Sequence, residues 1–287
     1  MLSKLNPTAE LYLPSNRSNN GNLELTTHLG IGAHQDDLEI IAIQGILAAY
    51  DHPGKYFTGV IVTDGRGAPR SGPFADVSDD SLWEIRCEEQ RKAARLGNYH
   101  AQFFLNHPSQ AAKSSEQKIV ISDLKHIIQS TSPEIIYTHN LVDKHDTHVA
   151  VALCVIQALR ETGLPPNLKK VYGCEVWRSL DWLIDDDKVP MDVSNHLDLQ
   201  GALLTVFESQ IIGGKRYDMA SIGRRQANAT FYQSHENDQS THMVYAMDLT
   251  PLIDHPEIGI EHFVSRYIDN LADDVRGRLN RLRRDSV

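Results

Sequence analysis

Cysteine is scarce in this 287-residue chain: Cys87, Cys154 and Cys174 are scattered, with no C-x-x-C pair. An odd, sparse set argues against a disulfide framework and fits a reducing compartment. Cys154 lies in the apolar run VAVALCVI and reads as core rather than as a reactive thiol. No apolar run reaches membrane-spanning length, and no positive segment followed by an apolar stretch opens the chain. A soluble, cytoplasmic protein without membrane insertion is therefore expected. Positive charge is also in deficit. The net charge of −10 argues against a nucleic-acid partner, and the basic run at the end (Arg276, Arg278, Arg281, Arg283, Arg284) reads as the solvated face of a terminal helix. A G-x-S-x-G elbow and any clear Cys/His pairing are missing, which disfavours a covalent acyl-enzyme. So is G-x-G-x-x-G after the first strand, which disfavours a dinucleotide site.

What remains is an ordinary globular composition, 41% apolar and 23% charged, long enough to bury one large core. Residues 1–24, with PSNRSNNGN, read as a loosely held lead-in. Strands and helices then alternate: a strand over 28–33, a helix over 38–50, a strand over 56–63, a helix over 81–96 closed by Gly97. A short strand AQFFL, a helix over 117–130, the strand EIIYT and a helix over 147–160 continue the series. This alternation predicts an α/β fold with a mostly parallel sheet and helices on both faces. Past about residue 185 the pattern is mixed, with helices over 197–212, 221–231 and 259–284 and a strand over 243–247. With no internal repeat and no long linker, residues 25–287 read as a single domain, of which 185–287 completes or caps the site.

Two clusters carry chemistry. The first strand ends in GAHQDDLE, with His34, Asp36, Asp37 and Glu39. Parallel sheets bind ligands at the carboxyl ends of their strands, and a divalent cation would relieve the repulsion of adjacent carboxylates. The competing reading makes Asp36 or Asp37 a helix cap and His34 a hydrogen-bonded strand-end residue. The strand EIIYT runs into HNLVDKHDTH, with His139, Asp143, His145, Asp146 and His148, before a helix. One His and one Asp from the first turn and one His from the second make a three-ligand N/O set with a position left for water, as a catalytic zinc asks.

These motifs resemble those of the PIG-L/LmbE-like zinc-dependent N-deacetylases. AHQDDLE (33–39) matches A-H-P-D-D-x-E with Gln35 in place of proline, and HDTH (145–148) matches H-x-D-H without the acid at its third position. VTDG at 62–65, RCEEQRKAARLG at 86–97 and the pair Ser209-Gln210 are further likenesses, so the resemblance spans roughly residues 28–212. It implies a Rossmann-like α/β fold, one Zn2+ per chain and hydrolysis of the linear amide of an N-acylated amino sugar such as N-acetylglucosamine. Carried over, His34, Asp37 and His148 are the metal ligands and Asp36 the general base. His145 faces the oxyanion or the departing amine, and Arg86 binds substrate. Asp146, next to His145, reads either as orienting it or as a solvated turn carboxylate. His139 and Asp143 read either as support behind the ligands or as residues approaching the helix.

Those residue types suit an unactivated amide. A zinc ion acidifies water to a pKa of about 7 and polarises a carbonyl. Asp36 can accept the water proton and deliver it to the amine, and a protonated His145 would add positive charge where the oxyanion forms. A basic segment, GKRYDMASIGRRQANATFYQSH, holds Lys215, Arg216, Arg224 and Arg225. It reads either as a solvated helix face or as a rim for an anionic substituent, with Arg224 and Arg225 as substrate-binding residues. The Gly/Pro-rich loop 64–79 suits a substrate-covering flap or a plain surface loop. Two alternatives stand beside the deacetylase: another metal-dependent hydrolase such as a phosphoesterase, and a non-catalytic sugar- or nucleotide-binding module. A homo-oligomer is compatible with the sequence.

Overall fold

Five parallel strands form the centre of a sheet whose faces are both covered. The computed structural model describes residues 2–14, 21–50, 52–163 and 165–284. Among them the strands are β1 (Glu10–Tyr12), β2 (His28–Gly32), β3 (Phe57–Thr63), β4 (Ala101–His107), β5 (Ile135–His139), β6 (Lys170–Cys174), β7 (Val189–Asp192) and β8 (Met243–Asp248). Their order is β1-β4-β3-β2-β5-β6-β8-β7. β4, β3, β2, β5 and β6 are parallel, while β1, β8 and β7 pair antiparallel at the two sides.

Every residue of β2 and β3 is buried, which is why these strands read as continuous apolar runs rather than as alternating ones. Residues of opposite parity enter two separate cores. Val60, Val62, Phe103 and Leu105 pack into one, with residues of α4 (Gln117–Thr131), α5 (Asp146–Thr162), α9 (Thr250–Asp254) and the start of α10 (Ile260–Arg284). Phe57, Ile61 and Phe104 pack into the other, with residues of α1 (Leu38–Ile41), α2 (Ile43–Tyr50), α3 (Asp79–Leu96) and α6 (Leu197–Thr205). α7 (Glu208–Ile211) and α8 (Tyr217–Thr230) follow α6 in the chain. The expected α/β architecture, mostly parallel with helices on both faces and completed by the C-terminal part, is the one observed.

The differences are local. The helix expected over 38–50 is divided at Ala42, whose backbone (φ −111°, ψ 15°) ends α1 after one turn. The helix expected over 197–212 breaks before Phe207 (φ −85°, ψ 58°). There the buried Glu89 carboxylate takes over, accepting from Ser209 N at 2.7 Å and Ser209 Oγ at 2.6 Å, and so satisfies the new helix start. The lead-in is not all loose. Glu10–Tyr12 adds an edge strand to β4, and Glu10 pairs with Arg91 at 2.7 Å. Ser15 to Asn20 of the expected lead-in lie outside the described residues. The start of α3 follows from its sequence: Ser78 Oγ accepts from Ser81 N, and Asp79 and Asp80 occupy the first turn.

Candidate metal and active site

β2 and β5 are hydrogen-bonded neighbours, in register at His28↔Ile135 and Gly30↔Tyr137. β3 and β4 continue to one side of this pair and β6 to the other. The two turns that carry the chemistry therefore open side by side at the reversal of strand order, where such sheets form a crevice. Gly32 allows the first turn to fold back on its strand, because a Cβ there would stand 2.9 Å from the Cβ of Asp37. Asp37 Oδ2 accepts from His34 N at 2.6 Å, and the Asp37 side chain makes no cap bond to α1. Asp37 occupies the N-cap position of α1 without capping the helix through its side chain.

The three side chains expected to hold a metal meet. His34 Nδ1 lies 3.2 Å from His148 Nε2 and 3.4 Å from Asp37 Oδ2, and His148 Nε2 lies 3.4 Å from Asp37 Oδ1. Ligands about 2.1 Å from a tetrahedral zinc stand about 3.4 Å from one another, so the donor set fits such an ion. His139 and His145 flank it and take part in the two groups of metal-competent donors, Asp37–His139–His148 and His34–His145–His148. His139 stacks on His148 with centroids 3.9 Å apart. Its Nε2 accepts from Ala33 N at 2.9 Å and lies 3.3 Å from Asp37 Oδ2, so that lone pair is already engaged. Asp143 Oδ1 faces His148 Nδ1 at 3.8 Å and accepts from His145 N at 3.0 Å. It stands behind His148 as carboxylates commonly stand behind a metal-bound histidine. Among the described residues, the buried Nδ1 atoms of His148, His139 and His145 find no hydrogen-bond partner.

The adjacent carboxyls are driven apart electrostatically. Burial opposes ionisation of Asp37, but the imidazoles of His148, His139 and His34 around it hold it well below the usual carboxylate range. Burial raises Asp36 well above that range, only partly offset by Arg86, whose Nη2 is 3.7 Å from Asp36 Oδ2. Burial lowers His34 to about 4. It also lowers His145, aided by His148, which favours a neutral imidazole over the protonated one expected. Asp36 adopts φ 93°, a conformation uncommon for a non-glycine residue. It is tied down by Gln90, whose Oε1 accepts from Asp36 N at 3.2 Å while its Nε2 donates to Glu39 Oε1 at 2.8 Å. Tyr99 also donates to Glu39 Oε1, at 2.7 Å. Burial raises Glu39 to about 7.

A cavity of about 440 Å³ opens over the cluster, within the ~300–1,000 Å³ usual for small-ligand sites. His34, Asp36, Asp37, His145, His148 and Arg86 line it. Arg86 is buried and donates to Gly65 O at 3.0 Å and Gln35 O at 2.7 Å. Gln35, where the family has proline, is fully buried and donates to Asp64 O at 3.2 Å, so its amide ties the metal-site turn to the loop that begins at Asp64. Gly65, Gly67, Ala68 and Pro69 of that loop form part of the cavity wall.

Three expected residues are elsewhere. Asp146 is the exposed first residue of α5 and not part of the wall; Asp143 contacts the histidines instead. Arg225 is 2% exposed and donates to Gln200 Oε1 and Glu39 O, each at 2.8 Å. Arg224 donates to Val176 O. Both arginines serve neighbouring carbonyl groups, and neither lines the cavity. The cationic wall is made by Arg86, Lys113 and Lys215. Trp177 and Tyr217, edge-to-face at 5.9 Å, also line the cavity, with Lys215 Nζ 5.4 Å from the Trp177 ring. No sequence motif marks Trp177 or Lys113.

Fold and site thus define an α/β protein with a His/Asp centre able to hold a divalent cation at a sheet switch point. Residues 29–159 match the family model described as PIG-L: GlcNAc-PI de-N-acetylase, the family the motifs resemble. Solved structures share the fold. N,N'-diacetylchitobiose deacetylase from Pyrococcus horikoshii has a TM-score of 0.62 and 18% identity over 80% of this chain and 86% of its own. GalB, the 4-carboxy-2-hydroxymuconate hydratase of Pseudomonas putida, has a TM-score of 0.59 and 16% identity over 78% and 96%. The conserved protein TT1542 from Thermus thermophilus has a TM-score of 0.57 and 17% identity over 77% and 94%. A deacetylase and a hydratase on one fold show that the reaction must be argued from the site.

Proposed function

We propose that this protein is a zinc-dependent N-deacetylase that hydrolyses the acyl amide of an amino sugar or amino-sugar conjugate. One observation carries the reading: three donors from two neighbouring strand ends, 3.2–3.4 Å apart, at the wall of a cavity that also presents Asp36 and His145. His34, Asp37 and His148 would hold one zinc per chain. When bound there, the ion supplies Lewis acidity and an acidified water.

The remaining work falls to the chain. Asp36, steadied by Gln90 and Arg86, takes the proton of the attacking water and returns it to the departing amine. His145 reaches the cavity between His34 and Trp177, with ring centroids at 5.1 and 6.5 Å, and donates to the carbonyl oxygen as negative charge grows there. Trp177 and Tyr217 offer apolar ring surface to a sugar. Arg86, Lys113 and Lys215 suit an anionic substituent on it. The single domain over 25–287, with 185–287 completing the site, and a cytoplasmic location belong to the same reading.

The test is acetate and free-amine release from N-acetylglucosamine, N,N'-diacetylchitobiose and N-acetylglucosamine 6-phosphate. Release should stop on chelation and return with zinc. Release that is indifferent to chelation, or absent with every N-acetylated sugar while zinc is bound, overturns the proposal.

A further inference from the structure

Among the described residues, the last helix, α10 (Ile260–Arg284), is anchored to the body near its start. Phe263 and Tyr267 are buried, 3% and 4% exposed, and Asn270 Nδ2 donates to Asp187 Oδ2 at 2.8 Å. From Asp273 through Arg283 every residue except Gly277 is exposed. At 1.5 Å per residue this stretch is about 16 Å of helix standing away from the body. Among the described residues, the ion pairs Arg276–Asp273 and Arg278–Asp274 stay within the helix.

The exposed length is not uniformly polar. Ile268 is 52% exposed, Val275 46% and Leu279 53%. With Leu271 and Leu282 these residues recur at spacings of three, four and seven, and at 100° per residue they share an arc of about 80°. That is a narrow seam of the kind one helix offers another. Charge is divided along the same helix: Asp269, Asp273 and Asp274 precede Val275, and Arg276, Arg278, Arg281 and Arg283 follow it.

We infer that α10 is a self-association surface that pairs antiparallel with α10 of a second copy, with the two-fold axis near Val275. In that register Val275 meets its counterpart, Leu271 lies level with Leu279 of the other copy, and Ile268 lies level with Leu282. The segment 276–283, carrying four arginines, runs beside 267–274, carrying three aspartates. A parallel pair would set arginines beside arginines. An anionic membrane fits less well, because the three aspartates lie on the exposed helix and the whole chain carries −10.

The test uses the full chain. Sedimentation equilibrium should give a concentration-dependent approach to twice the 32.2 kDa chain mass. Val275→Glu and Leu279→Glu should each return it to the chain mass, with the circular-dichroism spectrum and amide hydrolysis unchanged. Under mild oxidation Val275→Cys should cross-link and Leu282→Cys should not, because the antiparallel arrangement separates the two copies of position 282 by about 20 Å; the native cysteines are all buried. A chain mass at every concentration, a dimer indifferent to Val275→Glu, cross-linking through Leu282→Cys alone, or co-sedimentation of a monomeric chain with phosphatidylserine vesicles each overturns the inference.

Discussion

His34 Nδ1 and His148 Nε2 lie 3.2 Å apart although 114 residues separate them in the chain. Neither belongs to a strand: each follows one, and the parallel pairing of β2 with β5 brings the two turns together. Asp37 stands 3.4 Å from both nitrogens. Three donors converging this closely, beside a histidine whose Nδ1 has no partner, suit a cation better than any arrangement of the available protons. Two readily measured quantities follow, metal content and metal-linked stability. His148→Ala should retain the fold and lose most of its zinc. At zinc about a thousandfold above Kd, binding adds roughly 4 kcal/mol to stability. Chelation should therefore lower Tm by several degrees in the natural protein and leave His148→Ala almost unmoved. Full zinc occupancy in the variant would remove His148 from the ligand set.

Gly32 offers an independent approach to the same centre. A methyl group at this position would meet Asp37 Cβ at 2.9 Å, and the carboxylate would have to move. Gly32→Ala should weaken zinc binding in a competition titration about ten- to a hundredfold, the range seen when the support of a ligand is disturbed, while the sheet persists. Unchanged affinity would mean that Asp37 tolerates displacement and contributes little.

Asp36→Asn separates the two carboxyls by role. Zinc should remain bound while amide hydrolysis falls by roughly two to four orders of magnitude, the usual contribution of a general base. Survival of activity to within about tenfold would assign the proton transfer to another group.

A pH effect on stability should arise away from the metal. His28, 4% exposed at the start of β2, has its pKa lowered to about 4 by burial and then by Lys55, against an unfolded value of 6.5. Between pH 6.5 and 4 the unfolded chain binds the extra proton. The contribution is therefore complete above 6.5 and declines as pH falls, at a slope of about 1 kcal/mol per pH unit. Denaturant titrations of the zinc-free protein should show a shallower slope in this window for His28→Gln. Parallel curves would show that His28 titrates alike in both states.

The site was legible in the sequence where its chemistry is dense and local. His34, Asp36 and Asp37 fall within four residues, and His145 and His148 within another four, each after an apolar strand run. What was illegible depends on distant partners. Arg225 is anchored by Gln200, 25 residues away, and by the carbonyl of Glu39, 186 residues away, so no local pattern could reveal that it points inward. Edge strand β1 has only three residues, too few for alternation to register. Trp177 enters the cavity from the loop after β6, where no motif marks it. Asp143 and Asp146 are equivalent in composition, and only the path of the turn into α5 sends one beneath the histidines and the other to solvent.

That difference between local pattern and observed placement gives a test of substrate charge. Arg225 is buried with two neutral acceptors, and burial lowers its pKa to about 10. Removing it would leave a cavity and unpaired acceptors. Arg225→Ala should therefore lose roughly 2–4 kcal/mol of stability, with KM changed alike for neutral and phosphorylated sugars. Lys215 lies on the cavity wall, its ammonium 5.4 Å from the Trp177 ring, exposed and costing nothing structurally to remove. If it meets an anionic substituent, Lys215→Ala should raise KM for N-acetylglucosamine 6-phosphate about tenfold, matching roughly 1.4 kcal/mol for one exposed charge-assisted contact, with kcat nearly constant. The same variant should treat N-acetylglucosamine as the natural protein does, and Lys215→Arg should keep most of the preference. Should Lys215→Ala change both substrates equally, the lysine only covers the indole, and the charge of the substrate would have to be read from Arg86 and Lys113 instead.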